Sequence, residues 1–277
     1  MRTSINKCFV ALLQCWSLID YAGADLTQDI PDIGITQDYF TGDDAAIKSF
    51  SVILALQPGS DGKPQNIEDG SLIGIANKAF REMRAHPDRV GLSLGSVTLL
   101  AVGNEIMLAS SQRYLPSAWV AEHGSKPLAV TLGGAQIEAR YGLAHQHADG
   151  CGEINVLNLY LQQHPGETLE GTNARMVTWC LYAGGGMGVC NPCTGTQGRY
   201  GCYTMLNQVG LKKDPPWFTL IDKKTQYTNK ISHLVRWTAM HTRAPAVTEV
   251  DTETSDQTVN WVGEHEAEFF ADEEYGG

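Results

Sequence analysis

The sequence predicts an α/β fold, a sheet with helices packed on its faces. Three observations carry that reading. Apolar residues recur at helical spacing over 71–85. Two strand-like runs, Val97 to Val102 and Glu105 to Ser111, are separated only by Gly103-Asn104, a strong two-residue hairpin signal. Beyond them, helix-like and strand-like segments alternate, as in a sheet flanked by helices.

Taken in order, the chain opens with Arg2 and Lys7 ahead of the apolar stretch Cys8 to Trp16 and the small triplet Ala22-Gly23-Ala24. This loosely imitates a secretory signal. Gln14 and Ser17 interrupt the apolar region and Asp20 falls near its end, so a short amphipathic helix is the preferred reading. Residues 25–48 are acidic and turn-rich with no sustained period, and are expected to form a linker or loosely packed extension. Ser51 to Leu56 suits a short strand, and Pro58 to Gly70 a loop. Leu72, Ile75, Ala76, Ala79, Phe80 and Met83 then mark the helix over 71–85, with Ser71 or Asp69 to cap it and Pro87 beyond its end.

After the hairpin, a strand is expected near Leu128 to Leu132. Ile154, Leu157 and Leu161 share one helical face, and Pro165-Gly166 stops that helix. Met176 to Tyr182, rich in β-branched and aromatic residues, predicts a strand. Cys202 to Asn207 reads as a short helix ending near Gly210, Trp217 to Ile221 as a strand, and Ile231 to Met240 as a last helix. No internal repeat is visible.

Net charge divides the chain. Residues 1–69 carry −6, residues 70–240 carry +4 and residues 241–277 carry −9, for −11 in all. The expected organisation is therefore an acidic extension over 1–69, a folded domain over 70–240 and an acidic, disordered or loosely docked tail over 241–277. The mildly basic middle is compatible with a phosphate-bearing or nucleic-acid substrate, and equally with an ordinary solvated surface. No apolar run is long enough for a bilayer, so no membrane partner is expected. Oligomeric state is not legible.

The seven cysteines stand at 8, 15, 151, 180, 190, 193 and 202. Their odd number, and three within thirteen residues, speak against a simple disulfide framework and for metal binding in a reducing compartment. The expected location is cytoplasmic, with export through the signal-like N-terminus as the competitor. Cys151, Cys193 and Cys202 are the candidate thiolate ligands. Zinc prefers four tetrahedral ligands, and a catalytic site leaves one position for water. Cys151 and Cys202 each open a predicted helix, where the dipole favours thiolate. Glu153, two residues after Cys151, reaches the metal-bound water without ligating and would move its proton.

Cys151-Gly152-Glu153 followed by Pro192-Cys193 resembles the signature of the zinc-dependent cytidine deaminase-like superfamily, in its cysteine version. The helix over 71–85, the hairpin and the strand over 176–182 fall in that family's order, and the resemblance covers roughly residues 70–225. It implies a three-layer α/β/α sheet and a Zn²⁺ cofactor. Cys151, Cys193 and Cys202 would be the ligands and Glu153 the proton shuttle. The reaction implied is hydrolytic deamination of cytosine, or a related amino-substituted base, with zinc-bound hydroxide as nucleophile. The substrate would be a nucleoside, RNA or single-stranded DNA, and use as a toxin or effector domain is conceivable. This chain departs from the pattern in one place. Eight residues, including Gly195, Gly198 and Gly201, separate Cys193 from Cys202 where the family has two. They read as an inserted loop, because Cys202 opens the helix the family places there. The rival assignment makes Cys190 the ligand beside Cys193. It restores the short spacing but puts Pro192 between the ligands.

His145 and His147 flank the site in sequence. Either could bind substrate or replace Cys151, although polar loop histidines are the commoner case. Tyr141, Trp179, Tyr182 and Tyr200 are candidates to stack on a base. Trp179 is better placed as core, and Tyr200 is the preferred stacker. Arg199 would meet a phosphate. Asn104 and Ser110 or Ser111 are candidate pocket residues on the hairpin. The glycine run 184–188 lacks the lysine and helix start of a phosphate loop. The main competing function is a structural zinc module closed by Cys151, Cys190, Cys193 and Cys202, with Glu153 merely favoured by the helix dipole. A cysteine nucleophile paired with His145 or His147 leaves the cysteine cluster unexplained.

Overall fold

The computed structural model describes residues 27–39, 48–59, 62–63, 65–86, 95–111, 143–147, 150–182, 184–196 and 198–240. The signal-like N-terminus, the strand expected near Leu128 to Leu132, Tyr141 and the acidic tail lie outside them. Among the described residues the fold is mixed α/β, built on a mostly antiparallel eight-stranded sheet.

The hairpin forms as predicted. Strands β4 (Ser96–Val102) and β5 (Glu105–Ser110) pair antiparallel across a turn where Gly103 takes φ 53°, a left-handed value that glycine adopts without strain. β7 (Ala174–Leu181) adds beside β4, and β3 (Lys48–Leu56) adds beside β5. The sheet is completed by β2 (Thr36–Tyr39) and β13 (Trp237–Met240) on β3, and by β8 (Met187–Cys190) and β11 (Phe218–Leu220) on β7. Only the β11–β7 pairing in this sheet is parallel.

Strand alternation gives the sheet two apolar faces. Phe50, Val52, Leu54, Val97, Leu99, Ile106, Leu108, Val177 and Trp179 point to one core, covered by helix α1 (Asp69–Ala85) through Leu72, Ile75, Ala76, Ala79, Phe80 and Met83. Ile53, Leu100, Met107, Ala109 and Met176 point to the other, covered by helices α2 (Gly152–Gln163) and α3 (Cys202–Leu206). No helix among the described residues is long and apolar enough to cross a membrane.

Two expectations fail. The predicted last helix over 231–240 is instead strand β12 (Lys230–Ser232), a turn closed by Val235 N–H on the Ser232 carbonyl, and β13. Ile231 and Val235 have helical spacing and both are buried, but Trp237 and Ala239 alternate inward. The decisive element is distant: β2 pairs with β3 only over residues 48–51, and β13 takes the edge over 53–56. Residues 27–35 are not loosely packed either. β1 (Thr27–Asp29) pairs with β12, and Ile30, Ile33 and Ile35 enter the core, with Glu82 accepting the Ile33 and Gly34 N–H groups at 2.8 Å each. The apolar residues there are too few and too irregularly spaced to signal a strand.

Candidate metal centre

Cys151 is the N-cap of α2, with extended backbone, and Glu153 lies in the helix's first turn. The helix start is pressed against the hairpin. A Cβ added to Gly152 would lie 2.6 Å from Thr98 Oγ1 and 3.2 Å from the Ala109 carbonyl oxygen, so only glycine fits without displacement. Asn155 Nδ2 donates to the Ser110 carbonyl at 2.8 Å and pins the same turn to the end of β5.

The eight residues between Cys193 and Cys202 fold as a miniature hairpin, β9 (Gly195–Thr196) against β10 (Arg199–Tyr200). It returns the chain on itself, so the Cys202 N–H donates to Cys193 Sγ at 3.1 Å and the Tyr203 N–H to the Cys193 carbonyl at 3.0 Å. Gly201 is obligatory at this crossing, since an added Cβ would lie 2.2 Å from the Cys193 carbonyl oxygen. β10 also pairs in parallel with β6 (Ala144–His145), which brings His145 into the centre.

The ligand atoms of His145, Cys151, Cys193 and Cys202 all lie within 4.8 Å of one another. A tetrahedral zinc site with Zn–S near 2.3 Å has S–S edges of about 3.8 Å, so the cluster is of the right size and the donor set is one zinc accepts. His145 and Cys202 are buried, Cys151 and Cys193 partly so. Cys193 is the thiol most disposed to ionise. Hydrogen bonds from Cys151, then Cys202 and His145, and from the Cys202 N–H hold its pKa far below the ordinary value. Cys151 is held up as a thiol by its hydrogen bond to Cys193, with burial adding to it. Cys202 is held up by its hydrogen bonds with Cys151 and Cys193 and by burial. Metal binding at this cluster therefore releases protons.

Glu153 is only 5% exposed. Burial raises its pKa, opposed by its own backbone N–H and by Thr178, whose Oγ1 donates to Oε1 at 3.0 Å. Thr178 stands opposite Thr98 in the sheet, and their hydroxyls are 2.8 Å apart, so Thr98 donates to Thr178 and Thr178 to the carboxylate. Glu153, Cys151 and Cys193 form one wall of a cavity of about 610 Å³. Ser96, Ser111, Gln146, His147, Thr178 and Asn191 also line it.

The other expected site residues are placed differently. Cys190 is disulfide-bonded to Cys180, not to a metal. The antiparallel register sets Cys190 opposite Thr178 and Cys180 opposite Gly188, making the two cysteines diagonal neighbours across β7 and β8. Cys190 is not among the four donors that converge at the cluster. Asn104 occupies the hairpin turn, at the opposite end of β5 from the cavity-lining Ser111. Tyr200 is buried and meets the His145 ring in a T-shaped contact at 5.0 Å, so it packs on the histidine and is not exposed for stacking on a ligand. Arg199 is exposed and lies near the Gln146 carbonyl, Nη1 to O 3.4 Å, outside the cavity lining. Trp179 is core and Tyr182 is exposed. Thr178, Gln146 and Asn191 carried no sequence signal, because their roles depend on strand register and loop return. Compared with protein families, curated proteins and solved structures, the chain matches none.

Proposed function

We propose that this chain is a zinc-dependent hydrolytic deaminase of cytosine or a related amino-substituted base, carried in a nucleoside, RNA or single-stranded DNA. The observation that carries the reading is Glu153, a buried carboxylate with raised pKa, set beside three clustered thiols at the wall of a cavity. In a purely structural zinc site Glu153 would serve only the helix start, which does not call for a carboxylate on the cavity wall. The resemblance of Cys151-Gly152-Glu153 and Pro192-Cys193 to the cytidine deaminase-like superfamily supports the same reading. So does the order of α1, hairpin, α2, β7 and α3 along the chain.

Cys151, Cys193 and Cys202 would hold the zinc. Bound zinc would supply a Lewis acid that makes water nucleophilic near neutral pH. Glu153 would accept the proton of the attacking water and deliver it to the departing amine. Burial suits it to both steps, because raising a carboxyl's pKa makes it a better proton acceptor than an exposed carboxylate. Thr178 fixes the carboxylate by holding Oε1, and the α2 N-terminus holds Glu153 and Cys151 on one rigid turn.

A second reading has its own support. With His145 as fourth donor the centre would be a closed Cys₃His site of structural type. The deciding experiment uses purified wild type and Glu153→Ala, with zinc content measured, incubated with cytidine and with single-stranded DNA while ammonia release and uracil formation are followed. Turnover by wild type, and none by a zinc-replete Glu153→Ala, is expected. Zinc in both proteins with no turnover on any cytosine or adenine substrate refutes the enzyme reading.

A further inference from the structure

His145 is the group at the centre whose part is unassigned: fourth ligand or something else. Distance alone does not separate the cases. Nε2 lies 3.5 Å from Cys202 Sγ, which fits an N–H···S hydrogen bond. It fits equally the roughly 3.5 Å S–N edge of a zinc tetrahedron. The other ring nitrogen decides. The backbone N–H of His147 points at His145 Nδ1 at 3.2 Å, so Nδ1 must offer a lone pair. A neutral imidazole has one N–H and one lone pair, which puts the proton on Nε2, facing Cys202. Ligation through Nε2 would move the proton to Nδ1 and set two donors against each other. A ligating histidine nearly always donates from its second nitrogen, whereas this one receives.

The surroundings lock that orientation. The Tyr200 ring makes a T-shaped contact with the imidazole, Tyr200 pairs with His145 in the β6–β10 ladder, and the Gln146 N–H donates to the Tyr200 carbonyl at 2.8 Å. β10 belongs to the eight-residue insertion between Cys193 and Cys202. The insertion and the histidine are thus one device.

We propose that His145 is a positioning residue that turns Nε2–H toward the paired sulfurs of Cys193 and Cys202, and that the insertion exists to hold it there. It rests on the metal reading above. The protein ligands are then three thiolates, and the fourth position is left for water. The hydrogen bond draws charge from an anionic three-thiolate set, a job that a neutral donor does without occupying a coordination site.

The test needs no substrate. The full chain, labelled with nitrogen-15 at histidine, is loaded with cadmium-113 and its spectra recorded, and zinc affinity is measured by competition with a chromogenic chelator. The expected result is a cadmium shift of three-thiolate character, no cadmium–nitrogen coupling to His145, and an Nε2-bound proton. His145→Gln, which retains a donor, should keep full metal stoichiometry, and His145→Ala should bind zinc about 10- to 100-fold more weakly. Coupling between cadmium and His145, or loss of metal in His145→Gln, overturns the proposal while leaving the metal centre standing. Failure of the wild type to take up either metal overturns the centre itself.

Discussion

Replacing Gly152 with alanine puts a methyl group where there is no room. The new Cβ would sit 2.6 Å from Thr98 Oγ1 and 3.2 Å from the Ala109 carbonyl oxygen. The first contact is far inside van der Waals range, and the second is with sheet backbone that has little freedom to yield. Overpacking of this kind costs about 1–3 kcal/mol. Alanine recovers up to about 1 kcal/mol through helix propensity and a less flexible unfolded chain. The net expectation is about 1–2 kcal/mol of destabilisation, a fall in Tm of about 2–8 °C for a domain of this size. Thr98→Ala removes the offending hydroxyl, so in Gly152→Ala/Thr98→Ala part of the penalty should vanish, a coupling of about 1 kcal/mol. Thermal and urea unfolding of the zinc-loaded proteins measure all four corners of the cycle. An unchanged or raised Tm in Gly152→Ala, or strict additivity with Thr98→Ala, refutes the claim that close approach of α2 to the hairpin sets the position of Cys151 and Glu153.

Three further outcomes are expected. Thr178→Val keeps the side-chain shape and deletes the donor to Glu153; under the proposed deaminase reading, loss of a hydrogen bond to a charged group, about 1.5–3 kcal/mol, predicts a fall of about 10- to 150-fold in kcat with metal content unchanged. Full activity in that variant would remove Thr178 from the mechanism. In metal-free protein, burial raises the Glu153 pKa above its unfolded value, so its contribution to stability is complete below about pH 4.3 and is lost as pH rises through the folded value. Urea unfolding of metal-free wild type should therefore lose stability over that rise relative to Glu153→Gln, and parallel pH profiles would contradict the burial. Gly201→Ala forces a Cβ to 2.2 Å from the Cys193 carbonyl oxygen and 2.4 Å from the Gly195 nitrogen, both backbone, so zinc retention by emission spectroscopy should collapse even where circular dichroism still reports a folded sheet.

Local pattern was legible wherever one element decided its own form. The period over 71–85, the Gly103-Asn104 turn and the stop at Pro165-Gly166 each appear in the structure within two residues. The spacing of Cys151 and Glu153 put both on one helical turn, a consequence of helix geometry alone. Where two distant segments had to meet, pattern was silent or misleading. Ile231 and Val235 suit a helix, and only the open edge of β3 makes their neighbours a strand. Cys190 read as a rival metal ligand, and only strand register set it beside Cys180.

The sequence by itself determined which residues are candidates for a metal centre: a cysteine, a carboxylate two places on, and later cysteines of which two bracket a glycine-rich segment. Those are matters of residue type and short spacing, and they survive any choice of tertiary arrangement. Only the tertiary structure decided which thiols converge, that the segment between Cys193 and Cys202 closes as a hairpin, that Thr178 holds the carboxylate and that His145 is drawn in through β6 and β10. The Thr178–Glu153 and His145–Cys202 contacts span 25 and 57 residues of chain and are set by strand pairing, while the hairpin between Cys193 and Cys202 closes locally through the close approach that Gly201 permits.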